Sequence, residues 1–309
     1  ARSGVTGRSL AMTADLDWQD PNALQEEFNC CAVTPTLSRN EPFDENIEGI
    51  SRFLSCVEKA GTTRSLGHPD LVWRRQEPNL YDFHHRPSMD KAIHWVSHIE
   101  CNPSSSRVLF LHRWTERVED ETCFLHRLIT MNPDGSDMRL LECSDHPLPQ
   151  LGGNFDPTAV GTFDYEKSEY QISHPLWQDD RHIIVWAPHD GRIHYHLYAD
   201  AEGGAVKVIG RGRLTENGHM TFSPVDKRWL LSDTYPDSAT NQRVLFLYDV
   251  DADEQYDLGS FYADPGLGKE NRCDLHPRWR RDGQQICIDS VHEHQRQMYV
   301  LDVSSLVAG

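Results

Sequence analysis

The chain predicts an all-β fold, a β-propeller built of four-stranded blades, and three observations carry that prediction. A histidine followed three residues later by Trp, Phe or Cys recurs four times: His98-Ile-Glu-Cys101, His174-Pro-Leu-Trp177, His219-Met-Thr-Phe222 and His276-Pro-Arg-Trp279. The positions ten and twelve residues beyond each histidine are apolar in every copy, namely Val108 and Phe110, Ile184 and Trp186, Trp229 and Leu231, Ile286 and Ile288. That alternation puts each pair on one pleat face of a strand and marks an internal repeat. The spacing supplies the third observation. His174 and His219 are 45 residues apart, one blade, and His219 and His276 are 57 apart, a blade with a longer loop. His98 and His174 are 76 apart, so an insertion is required, and residues 148–170, rich in Gly, Pro and Asp, are its candidate.

Each unit then reads as strands and turns. In the first, the turn Asn102-Pro-Ser-Ser-Ser106 leads to a strand at 107–112 and to a second at 128–131 closed by Asn132-Pro-Asp-Gly135. The second unit pairs 183–186 with 196–200, followed by a Gly203-Gly204 turn; the third pairs 229–231 with 244–249; the fourth pairs 286–288 with 298–302. Residues 80–309 therefore hold the blades. Residues 1–79 form an N-terminal segment, irregular or partly helical, in which Ile47, Ile50, Phe53, Leu54 and Val57 fall at helical spacing between a capping Asp44 and a terminating Gly61. Those residues also have length enough for one or two further blades at about 40–50 residues each.

Composition narrows the functional classes. At 309 residues, 38% hydrophobic, the chain can bury a large core. Its formal charge of −18 disfavours nucleic acid and anionic membrane as partners, so an anionic ligand needs a local basic site. No run approaches a membrane span and the first residues lack the apolar core of a secretory signal, which points to the cytoplasm. Eight cysteines, at 30, 31, 56, 101, 123, 143, 273 and 287, include no Cys-x-x-Cys pair; buried thiols without disulfides are expected. If repeats are arranged about an axis, the histidines converge, and converging histidines suggest metal or acid–base chemistry. Equally, a histidine that recurs in every unit can be a turn residue of the blade.

The runs Pro87-Ser-Met-Asp-Lys-Ala-Ile-His-Trp-Val-Ser-His98, Ser173-His-Pro-Leu-Trp177, Gly218-His-Met-Thr-Phe-Ser-Pro224 and Cys273-Asp-Leu-His-Pro-Arg-Trp279 resemble the oligogalacturonate lyase-like propellers, seven-bladed in that family. The resemblance spans about residues 80–309. It implies a polysaccharide lyase that cleaves oligouronides by metal-assisted β-elimination. His174 takes the place of the base that removes the C5 proton of the uronic acid, and Arg127, in His126-Arg-Leu-Ile-Thr-Met-Asn-Pro-Asp-Gly-Ser136, that of the assisting arginine. The implied cofactor is a divalent metal, manganese in the family, held by His219 and His276. The family's other two ligand positions, a Gln and a His, fall here on Asn271 and Asp274. A hard divalent ion accepts such mixed imidazole and oxygen donors. Arg272, Arg278, Arg280 and Arg281 form a basic patch near the cluster; Arg280 and Arg281 sit in a turn and read as solvated, whereas Arg272 and Arg278 suit the carboxylates of an oligouronide, and His292 is a further candidate contact. The contrasting reading is a non-catalytic propeller that binds carbohydrate or protein. A hydrolase is disfavoured, because no closely spaced carboxylate pair stands out.

Overall fold

The computed structural model describes residues 80, 83–89, 93–115, 124–144, 171–267 and 272–308. The predicted helix at 45–60, the insertion at 148–170, Asn271 and the cysteines at 30, 31, 56 and 123 lie outside the described residues. The rest is almost entirely β: four antiparallel sheets whose strands are joined in sequence order, the meander of a propeller blade. They belong to two compact units, one ending at Leu214 and one beginning at Thr215.

In the unit ending at Leu214, the first sheet runs β1 (Ile93–Cys101), β2 (Val108–Thr115), β3 (Leu125–Met131) and β4 (Arg139–Ser144). The second runs β5 (Ser173–Trp177), β6 (His182–His189), β7 (Arg192–Ala199) and β8 (Val206–Ile209). In the other unit the third sheet runs β9 (Met220–Phe222), β10 (Trp229–Asp233), β11 (Gln242–Asp249) and β12 (Glu254–Tyr262). The fourth sheet departs from the four-stranded expectation. Among the described residues it has three strands, β13 (Arg278–Trp279), β14 (Gln285–Ser290) and β15 (Gln297–Asp302), after which the chain turns into the short helix α1 (Ser304–Val307). Among the described residues no helix is long and apolar enough to cross a membrane, and none of Cys101, Cys143, Cys273 and Cys287 is in a disulfide.

The apolar pairs of the repeat lie on the second strand of each sheet and all are buried. So are the residues that alternate with them: Leu109 and Leu111 of β2 and Ile183 and Val185 of β6 meet in one cluster, so neighbouring sheets stack face to face and both faces of these strands are covered. Trp229, Leu231, Leu245 and Leu247 pack in the same way on Trp279, Ile286 and Ile288. The turns between first and second strands are built from the side chains that the sequence supplies. Asp179, Asp226 and Asp282 each accept the backbone N–H two residues on, at 2.7, 3.0 and 2.9 Å, and Asn102 accepts that of Arg107 at 3.0 Å.

The tryptophan three residues after the histidine has a definite job. Trp177 Nε1 donates to the carbonyl of Glu100 at 3.3 Å, and Trp279 Nε1 donates to that of Thr221 at 3.2 Å. Glu100 and Thr221 each stand two residues after the histidine of the preceding copy, so the same bond links sheet to sheet in both units. Trp279→Ala is expected to destabilise its unit by about 3–5 kcal/mol, the range for emptying a large buried aromatic site, with a smaller loss for Trp279→Phe, which keeps the ring and drops the bond. Urea unfolding of the two variants measures the difference.

Candidate functional site

The site with the most chemistry lies in the unit beginning at Thr215, where two copies of the repeat bring their histidines together. Gly218-His219 leads into β9, which pairs with β10 through Ser232 and Met220. Asp233 closes β10 and is fully buried; its Oδ1 accepts the backbone N–H of His219 at 2.7 Å, and both carboxylate oxygens lie 3.2 Å from His219 Nδ1. Ser232 Oγ donates to the His219 carbonyl at 3.0 Å. Gly218 explains how the two backbones come so close, since a Cβ there would stand 1.8 Å from the Asp233 carbonyl oxygen.

From the next copy come Asp274 and His276. They alternate with Cys273 and Leu275, which are buried in the core, and Asp289 N–H donates to the Leu275 carbonyl at 2.9 Å to hold the segment. The His219 and His276 rings are 4.1 Å apart between centroids. One ligating atom from each of His219, Asp274 and His276 can be chosen so that all three lie within 4.8 Å of one another. Two imidazoles and a carboxylate at that spacing are a donor set for a first-row divalent ion. Asp233 behind His219 supplies the carboxylate that such ligating histidines usually have on their other nitrogen, which directs ligation to Nε2.

The electrostatics of the cluster are uneven. Burial by itself would lower His219, but the Asp233 carboxylate outweighs it and raises the group above the ordinary imidazole value. Desolvation and the neighbouring His219 push His276 the other way, to about 4, although the residue as a whole is exposed. Burial opposes ionisation of Asp274, yet Arg243, His219 and Arg272 together keep its carboxyl below the usual range. Arg272 Nε donates to Asp274 Oδ2 at 2.9 Å, and its Nη2 is also 2.9 Å from that oxygen. Arg243 Nη1 stands 2.5 Å from Asp274 Oδ1 as an ion contact, without the angles of a hydrogen bond. Asp274 Oδ1 is therefore taken up by the enclosed Arg243 charge, and Oδ2, which the partly exposed Arg272 contacts, is the oxygen for which a cation would compete.

Of the residues that the sequence singled out, His219, Asp274 and His276 are brought together and Arg272 joins them. Asn271 lies outside the described residues. Arg278 is turned to the opposite partners, Asp289 Oδ1 at 3.2 Å and Cys287 Sγ at 3.7 Å. His292 is held by Ser290 Oγ at 2.8 Å and packs between Phe261 and Tyr299, with ring centroids at 5.2 and 4.4 Å. In the other unit, His174 sits in β5 with its Nδ1 3.1 Å from Ser173 Oγ, and His98 in β1 makes the same contact with Ser97 at 3.1 Å. Both adopt left-handed backbone at register shifts in their strands, and their rings are 6.5 Å apart. His276 is left-handed too, but His219 is not among the positive-φ residues, so the four histidines are equivalent in sequence and only three share a backbone geometry.

Arg127 is wholly buried in β3. It donates from Nε to His112 Nδ1 at 2.9 Å and from its Nη atoms to the carbonyls of Phe83, His84 and Leu80. Burial lowers its guanidinium to about 10, so it stays charged at neutral pH. Contact with a substrate would require those donors to be released.

Three members of the cluster escaped sequence reasoning. Arg243 had a signal, a charge inside the apolar strand Arg-Val-Leu-Phe-Leu-Tyr248 that must find a buried partner. Asp233 had a weaker one, an acid closing an apolar run. Tyr235, whose ring lies 5.9 Å from that of His219 and 5.5 Å from the Arg272 guanidinium, had none.

No protein-family model matches the chain, and no curated protein matches it. Among solved structures it is similar to an oligogalacturonate lyase in complex with manganese, at 13% identity and TM-score 0.37, over 71% of this chain and 68% of that one. It is also similar to TolB from Acinetobacter baumannii (17%, TM-score 0.38, 67% of this chain and 38% of that one). A third is the oligogalacturonate lyase of Vibrio parahaemolyticus (12%, TM-score 0.39, 66% and 64%). The chain thus spans about two thirds of the length of the lyases and well under half of TolB. Likenesses of this size assign no activity.

Two outcomes are expected from these geometries. Replacing Asp233 by Asn should weaken divalent-metal binding by about 10–100-fold, the usual effect of losing a carboxylate behind a ligating histidine; calorimetric titration with Mn2+ measures it. Glu100, two residues after His98, has its carboxyl raised well above the ordinary value, by desolvation that its bond from Trp177 N–H offsets only in part. As the pH rises past the usual glutamate range the unfolded chain releases this proton first, so stability contributed below that range is lost on going up towards the folded value. Thermal unfolding of Glu100→Gln should lack that component of the pH dependence.

Proposed function

We propose that the chain is a metal-dependent lyase acting on oligouronides. The observation that carries the proposal is the grouping of His219, Asp274 and His276 within ligating distance, with Asp233 fixing His219 from behind. The oligouronide substrate rests on the ordered motifs that resemble the oligogalacturonate lyases. A divalent ion bound there would supply positive charge beside the uronate carboxylate, which makes the adjacent carbon-bound proton easier to remove. Manganese is the ion that one structural neighbour carries.

The roles of this chain's own residues follow. By its match to the Ser-His-x-x-Trp segment of the lyases His174 is assigned the base: it takes the proton from the carbon next to the carboxylate, that electron pair forms the new double bond as the glycosidic carbon–oxygen bond breaks, and the departing oxygen takes up a proton from water or from the protonated imidazole. Ser173 Oγ beside its Nδ1 orients the ring and leaves proton transfer to Nε2. Arg272 is the cation available to a substrate carboxylate, because Arg278 is turned towards Asp289 and Cys287.

One observation favours a second reading, a non-catalytic carbohydrate- or protein-binding propeller. His174 shares its left-handed backbone and serine contact with His98, as expected if both are architectural residues of the first strand. The two readings part on mutation. His219→Ala should lose metal, measured by elemental analysis of the purified protein, whereas His174→Ala should keep metal and fold and lose the near-ultraviolet absorbance of the unsaturated product released from oligogalacturonides. Metal-free wild-type protein, or wild-type protein that releases no such product, would leave the binding module as the function.

A further inference from the structure

The interest of Arg272 is that it occupies the oxygen a cation would use. Its Nε and Nη2 both rest on Asp274 Oδ2 at 2.9 Å, while Arg243 stands against Oδ1 from the other side. Two guanidinium charges already surround this carboxylate. A divalent ion ligated by Asp274 would bring a third cation to it, and like charges at such distances repel strongly where water is partly excluded. One arginine must then give way. Exposure decides which: the Arg243 side chain is 2% exposed and enclosed in β11, whereas that of Arg272 is 42% exposed.

Arg272 does not have to leave the site when it turns from Asp274. Its guanidinium lies 5.5 Å from the centre of the Tyr235 ring, and that ring is 5.9 Å from His219. A cation–π contact of this kind keeps the charge beside the ligand cluster and leaves the planar edge of the guanidinium for another carboxylate.

Resting on the metal reading given above, we propose that Arg272 couples the two ligands of the site. Asp274 and the carboxylate of an anionic sugar compete for it, so a divalent cation that takes Asp274 hands Arg272 to the sugar carboxylate. Cation and uronate then bind more tightly together than apart, and the coupling is reciprocal. Within an acidic chain, this presents a cation to an anionic ligand only when the metal is in place.

The test uses the intact chain, Mn2+ and sodium D-galacturonate. Mn2+ affinity is measured from the free-ion electron paramagnetic resonance signal with and without galacturonate, at constant ionic strength and corrected for direct Mn2+–galacturonate association. In the wild type, saturating galacturonate is expected to tighten Mn2+ binding by about fivefold or more, the lower end of ordinary coupling. Arg272→Gln should bind Mn2+ alone at least as tightly as wild type and show no response to galacturonate. Arg281→Gln, an exposed turn arginine, should behave as wild type. The inference is overturned if wild type shows no coupling, if Arg272→Gln keeps it in full, or if Arg281→Gln loses it equally, which would make the effect one of net charge. Failure of wild type and variants alike to bind Mn2+ would instead remove the metal reading, and this inference with it.

Discussion

The repeated indole bond is the contact on which the rest of the architecture depends. A sheet buried on both faces must stack against its neighbour, and dispersion between apolar faces is not directional, so it does not fix how one sheet slides over the next. Trp177 to Glu100 and Trp279 to Thr221 add a directional bond at the same place in the repeat. It ties the first strand of one sheet to the first strand of the one before. The left-handed His174 and His276 each sit three residues before one of those tryptophans, in the segment that the bond anchors.

That anchoring is what brings His276 to His219. Trp279 joins β13 to β9, and the residues immediately before each strand, Asp274 to His276 and Gly218 to His219, are carried into contact. Gly218 and Asp233 then complete the arrangement by a close backbone approach that only glycine permits. The opposing charges are distributed with similar economy. Arg243 reaches Asp274 from the core and Arg272 from the surface, so one carboxylate is balanced both by an enclosed charge and by a partly exposed one.

Much of the fold was legible because the repeat is written in apolar alternation. The second strand of each sheet is largely apolar and buried on both faces, and its position followed from counting from the histidines. The outer strands β4, β8 and β12 did not announce themselves. β12, Glu-Gln-Tyr-Asp-Leu-Gly-Ser-Phe-Tyr262, buries only Leu258 and Phe261, so it carries little hydrophobic signal and is held by its backbone pairing with β11. After β15 the polar Asp302-Val-Ser-Ser turns into the short helix α1.

By itself the sequence determined the repeat and the all-β class, because strand period and spacing are local properties of the chain; the ligand candidacy of His219, Asp274 and His276 came from the resemblance of their motifs. The tertiary structure alone decided which candidates share a site. Arg278 and Arg272 look alike in sequence, yet one is turned to Asp289 and Cys287 and the other to Asp274. Arg127 reads as a cation beside a strand, and in the fold its donors are spent on His112 and on the carbonyls of residues 80–84. Asp233 is fourteen residues from His219 and bonds it only because β9 and β10 pair antiparallel. Where a charged side chain points is set by the partner that compensates its burial, and that partner is chosen by packing across strands, which sequence spacing does not encode.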